Sequence, residues 1–158
     1  MENTRKVKEM LTKAIFEVFE TMFYVFAEPL READANQTAY SVGAGIRFSG
    51  PVEGAMRISM GNALATLMAS NMLNLQDDEL TEALTADCLK ESLNMICGNF
   101  LRKLDPERVF SLSIPEFEAG ALTKDDVPTN ATLTAVFDTE AGAFEVAVLA
   151  PGHFGQGS

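Results

Sequence analysis

The sequence predicts an α+β fold in which helices pack on a mainly antiparallel sheet. Three observations predict it. Segments of helical and strand patterning follow one another as helix, two strands, helix, helix, three strands. Turn residues separate neighbouring strand segments, as hairpins require. Neither a G-x-G-x-x-G fingerprint nor a P-loop is present, and strands do not alternate strictly with helices.

The elements follow in order. Val7, Met10, Leu11, Ala14, Val18 and Met22 recur at helical spacing and predict a helix over Lys6 to Glu28, stopped by Pro29. Leu30 to Thr38 is polar and reads as a loop. Tyr40 to Phe48 and Val52 to Met60 read as strands of a hairpin punctuated by Ser49-Gly50-Pro51. Asn62 is placed to cap a helix running to about Leu73. Asn74 to Asp78 is a short connection. A long helix follows from about Asp78 to Leu104, with a bend near Leu84, and Asp105-Pro106 stops it. Val109 to Ile114 reads as a strand ending at Pro115, and Ala121 to Asn130 as a turn-rich excursion. Thr132 to Asp138 and Phe144 to Leu149 make a last hairpin across Thr139 to Ala143. A single domain is expected over 1–150, with a flexible tail over 151–158.

Composition narrows the function. The 158 residues suffice for one buried core, and 47% apolar residues argue against disorder. A net charge of −11 disfavours nucleic acid and anionic membrane surfaces, and it leaves room for a partner with a basic patch. The N-terminus is charged where a signal peptide turns apolar, and Glu17 and Glu20 interrupt the richest apolar stretch. A soluble, cytoplasmic protein with no membrane partner is the expectation. Cys88 and Cys97 sit nine positions apart on one helix, about 13 Å of rise, too far for a disulfide within it.

The long helix has two faces. Leu89, Leu93, Ile96, Cys97, Phe100 and Leu104 cluster within about 100° of arc as the core face. Asp87, Glu91, Asn94 and Gly98 fall within about 60° on the opposite side. A carboxylate there can engage a partner's ammonium group. The amide three residues later has both a donor and an acceptor and can hold a water at a fixed angle. Gly98 removes bulk and lets another protein approach closely. Spacing alone favours the ordinary alternative, a Glu and an Asn on a solvated helix face.

The segment Glu91-Ser-Leu-Asn94-Met-Ile-Cys-Gly98-Asn-Phe-Leu resembles the signature helix of the CheC/CheX/FliY phosphatase family. That signature is Asp or Ser, three residues, Glu, two residues, Asn, and a Pro about twenty residues on. Asp87, Glu91 and Asn94 fill the first three places, and Pro115 matches the last. Gly50-Pro-Val-Glu-Gly54-Ala-Met-Arg-Ile-Ser-Met and the Ala-rich helix after it resemble the family's first hairpin and second helix. The similarity spans most of residues 40–118. A faint internal repeat accompanies it, with Phe16, Glu20 and Phe23 spaced like Asp87, Glu91 and Asn94. Phe23 stands where a two-site, CheC-type member has Asn, so the chain is more similar to the single-site CheX type.

The resemblance implies a pseudo-duplicated CheC/CheX-like fold and a phosphatase for the aspartyl phosphate of a CheY-like response regulator. Asn94 would orient the attacking water, and Glu91 would pair with the invariant Lys of the receiver domain. Asp87 would support the rim or contact the partner. Mg²⁺ would sit on the receiver domain's own carboxylates, so no metal site and no cofactor are expected in this chain. A homodimer through sheet edges is implied as well, with Thr132 to Leu149 a candidate edge. The alternative is a non-catalytic module that binds a response regulator, as in the flagellar switch.

Other features read as structure. Lys124-Asp125-Asp126 reads as a solvated turn, and Met56, Met60, Met68, Met72 and Met95 as core filler. Phe16, Phe19, Phe23 and Phe26 read as a packing stripe. His153 lies in the Gly-rich tail, where no catalytic role is expected.

Overall fold

The computed structural model describes residues 2–30, 40–122 and 133–150. The helices are α1 (Glu2–Val18), α2 (Asn62–Leu73) and α3 (Glu82–Leu104). The strands are β1 (Glu28–Pro29), β2 (Tyr40–Ser49), β3 (Gly54–Met60), β4 (Ser111–Leu112), β5 (Glu116–Leu122), β6 (Leu133–Thr139) and β7 (Gly142–Leu149). The expected α+β arrangement is present. Helices pack on one face of a seven-stranded sheet, and every strand pairing is antiparallel. Most of the loop at 30–38, the excursion from 123 to 130 with Lys124, Asp125, Asp126 and Pro128, and the tail with His153 lie outside the described residues.

The strand order is β1-β6-β7-β3-β2-β4, with β5 also on β2. With β1, β2 and β3 matched to β5, β6 and β7, this order is symmetric about the β3–β7 pairing. Two hairpins, β2–β3 and β6–β7, meet along β3 and β7, with Ile58 opposite Val146. The strand after α1 pairs with the second hairpin, and a strand after α3 pairs with the first. The pseudo-duplication implied by the resemblance is therefore visible as two interlocked halves.

Alternation along the strands decides which face meets the helices. Val42, Ala44, Ile46 and Phe48 of β2 point into the core, as do Met56, Ile58 and Met60 of β3 and Phe144, Val146 and Val148 of β7. At Gly54 a Cβ would lie 2.3 Å from the Leu149 carbonyl oxygen, so only glycine lets β3 and β7 close here. On the other face Gly45 stands between Arg57 and Glu116. Having no side chain, it leaves the Arg57 guanidinium a path to Glu118, 2.6 Å away.

Aromatic packing fastens α1 to the sheet. Phe19 stacks on Phe144 at 4.4 Å, Phe144 stacks on Phe137 at 5.2 Å, and Phe16 meets Phe137 edge-on. The helix ends earlier than Glu28. Phe19–Phe23 forms a π turn, and Tyr24 is left-handed with φ 55°. The Asn71 amide donates to the Phe23 carbonyl at 2.7 Å and holds that end. The aromatic stripe therefore stops at Phe23, and Phe26 is 74% exposed. Glu28–Pro29 is a sheet edge, where a residue without an N–H is tolerated.

Other boundaries also differ from expectation. Gly61, not Asn62, occupies the cap of α2, and the Asn62 N–H donates to Ser41 Oγ at 3.0 Å. Asp77–Glu79 is a separate 3₁₀ turn closed by a capping box between Gln76 and Glu79, so the long helix starts at Glu82. The strand expected over Val109 to Ile114 is only Ser111–Leu112, and Glu116–Leu122 is a strand not read from the sequence. The first hairpin lies at Tyr40–Ser49 and Gly54–Met60. The last hairpin turns at two residues, Glu140 and Ala141. Within this hairpin β7 is interior, against β3, while β1 covers β6 only at Phe137 and Asp138, so among the described residues Leu133–Ala135 keep an outer side without a strand partner.

Replacing Thr81, whose hydroxyl caps α3, with Ala is expected to cost about 1 kcal/mol in urea unfolding, while Asp at this position retains most of the stability.

Candidate functional site

Helix α3 is set by its ends and its buried face. Thr81 Oγ1 accepts the Leu84 N–H at 3.1 Å, Glu82 lies in the first turn, and Arg102 and Lys103 lie in the last. These charges oppose the helix dipole at both ends. Cys88, Leu89, Ser92, Leu93, Ile96, Cys97, Phe100 and Leu101 are buried. This face is wider than expected and includes a serine, whose hydroxyl donates to the Leu89 carbonyl at 2.7 Å. Lys103 on α3 meets Glu17 on α1 at 2.8 Å.

Burial of most of the circumference leaves one narrow strip outward. Asp87 and Glu91 are exposed, and Asn94 and Gly98 are half-buried. All four expected site residues thus lie on the surface of a single helix. Glu91 and Asn94 are neighbours at i and i+3, with about 5–6 Å between their Cβ atoms. Among the described residues no ion pair or hydrogen bond engages the Glu91 carboxylate or the Asn94 amide. Asp87 is engaged: Lys90 Nζ lies 3.4 Å from its Oδ1. A Cβ added at Gly98 meets nothing within 4 Å, so neither packing nor backbone conformation requires glycine there.

Sequence reasoning missed three neighbours of the strip. Lys90 stands three residues after Asp87, a spacing that itself signals an ion pair. Met95, read as core filler, is only half-buried and borders Glu91. Arg102 lies on the same strip one turn past Gly98, with its guanidinium hydrogen-bonded to the Asn99 amide oxygen. The first helix carries no matching pair, because Phe23 is fully buried while Glu20 is exposed.

The strip lines none of the grooves described among these residues. The groove of about 360 Å³ on the far face of the sheet is lined by Gly45, Arg57, Glu118 and Ala147 among others and holds neither Glu91 nor Asn94. Among the described residues no group of three or more His, Cys, Asp or Glu is placed to hold a metal ion, and no helix is long and apolar enough to cross a membrane. The cysteines next to the strip are not nucleophiles. Burial pushes the Cys97 thiol up to about 12, and burial and then Asp87 raise that of Cys88.

This geometry defines a class: α+β proteins in which a long helix lies on an antiparallel sheet and turns one polar strip outward. The chain belongs to the CheX family, whose model, described as Chemotaxis phosphatase CheX, matches residues 42–137, more than half of the chain. Solved structures share the fold. The chemotaxis protein CheX from Vibrio vulnificus is 20% identical with a TM-score of 0.77, over 92% of this chain and 96% of that one. CheX from Desulfovibrio desulfuricans is 19% identical with a TM-score of 0.73, over 92% and 99%. A CheX-CheY-BeF3-Mg+2 complex from Borrelia burgdorferi is 23% identical with a TM-score of 0.69, over 90% and 96%. No curated protein matches the chain.

Gly98→Ala is expected to raise stability by about 0.5–1 kcal/mol in urea unfolding, because a mid-helix glycine is replaced where space is open. In the folded protein neither cysteine should react with iodoacetamide at pH 8, and both should react once urea unfolds it.

Proposed function

We propose that this chain hydrolyses the aspartyl phosphate of a CheY-like response regulator. The observation that carries the reading is the carboxylate–amide pair of Glu91 and Asn94, outward on one helix and unengaged among the described residues. Family membership supports it, as does a relative seen in complex with CheY, BeF3 and Mg+2.

The chemistry suits so small a site. Water attacks phosphorus, the new P–O bond forms, and the bond to the aspartyl oxygen breaks. The products are inorganic phosphate and a carboxylate. With a carboxyl pKa near 4, the leaving group departs ionised and needs no acid. What remains is to place one water in line. The Asn94 amide does this with its oxygen accepting from the water and its N–H₂ donating to it. Glu91 pairs with the receiver's Lys and fixes the docking, Asp87 supports the rim, and Gly98 admits close approach. Mg²⁺ is held by the receiver. An acidic chain of net charge −11 repels a phosphoryl group at long range, so the partner's cation at Glu91 is what draws the two together. The protein acts in the cytoplasm, as a homodimer joined through sheet edges. The exposed Val109 and Ile114 flank β4 and give that edge an apolar border.

Asn94→Ala is expected to lower the rate of phosphate loss by roughly 100-fold while leaving receiver binding nearly unchanged. Phosphate-release kinetics and titration against a beryllofluoride-loaded receiver measure the two. Full activity in this variant would sink the mechanism. Saturable binding by the wild-type protein without faster phosphate loss would instead identify a non-catalytic binding module.

A further inference from the structure

The outward strip of α3 continues past Gly98 to Arg102, four positions and about 6 Å further along the helix. The other cations of α3 are both tied to carboxylates, Lys90 to Asp87 and Lys103 to Glu17. Arg102 is different. It is exposed, its guanidinium is held by the neutral Asn99 side chain, and no carboxylate pairs with it among the described residues. Among the described residues the strip therefore has an unpaired negative charge at Glu91 and an unpaired positive charge at Arg102, about 16 Å apart by helical rise. Met95 and Gly98 lie between them as a low, partly apolar centre. This is the layout of a docking surface with its charges at the rim.

We infer that Arg102 is a specificity-determining residue: it sets the direction in which the phosphorylated receiver domain lies along α3, by pairing with a carboxylate on that domain. This rests on the proposed function and extends its site. A receiver docked with its Lys on Glu91 must present an acidic group near Arg102. One docked in the reverse direction sets Lys against Arg102 and the acid against Glu91, so both ends repel. Two opposite charges on one line thus distinguish the two directions, which a single ion pair at Glu91 does not. Such a rim charge acts on encounter and affinity and is screened by salt.

The test compares wild type, Arg102→Gln and Arg102→Lys. Each is titrated with chemotaxis-type receiver domains of the same organism, loaded with Mg²⁺ and beryllofluoride, at low and high salt. Phosphate-release kinetics are run in parallel, and thermal unfolding checks the fold. Arg102→Gln should weaken binding and raise KM about 3- to 10-fold at low salt, with kcat unchanged. Arg102→Lys should restore both, and the difference should shrink at high salt. A role only in closing the helix would shift the unfolding temperature and leave affinity unmoved. Equal affinity in all three proteins would overturn the inference while leaving the phosphatase reading intact. Charge-dependent binding without faster phosphate loss would uphold the inference and overturn the phosphatase reading. Failure of wild type to bind any receiver would overturn both.

Discussion

The seating of α3 on the sheet is the constraint on which the site depends. Leu89, Leu93, Ile96 and Phe100 fill the space over β2 and β3, and each such side chain is worth about 1.5–3 kcal/mol in burial. Because residues on most sides of the helix are buried, it cannot rotate about its axis without exposing a large apolar side chain. The angle at which Glu91 and Asn94 leave the surface is therefore fixed by groups that never touch a partner. The Glu17–Lys103 pair between α1 and α3 and the Thr81 cap add to this hold at opposite ends. A water-placing amide needs such rigidity, since its only contribution is position.

Division of labour follows from the same geometry. An outward strip on one helix does not by itself enclose a reaction, and the described residues hold no metal cluster. On the proposed reading the partner supplies the metal, the leaving group and the phosphoryl, and this chain supplies an amide and a charge. Gly98 fits that division. Glycine within a helix costs stability, and none of the described residues requires it; on the proposed reading its missing side chain makes room for the receiver's surface.

Sequence patterning revealed the helical strip well, because a period near 3.6 over a long capped segment separates two faces of α3 without any knowledge of its neighbours. Both central hairpins were legible for a related reason, as alternating residues bounded by turn formers. The failures share a cause too. Glu116 and Glu118 masked β5, whose partner Gly43–Gly45 is distant in sequence. Tyr24 closes α1 in a conformation rare for its type, so Phe26 and Glu28 looked helical when they are not. The 3₁₀ turn at Asp77–Glu79 carries the acidic residues that suit a helix's first turn, and extended Leu80 with the Thr81 cap separates it from α3. The placement of Lys90 and Met95 beside the strip needed coordinates to show which polar and apolar groups were left partly open.

The interlocked halves have a consequence for how the chain matures. Glu28 pairs with Asp138, so the first edge of the sheet closes only after the last hairpin, far along the chain, has left the ribosome. The bed for α3 likewise waits for β7 to insert beside β3. Such distant pairings slow folding, and the nascent first hairpin must meanwhile leave apolar side chains and an open strand edge uncovered. Synthesis is thus the stage at which this protein is most exposed to aggregation, whatever the stability of the finished molecule.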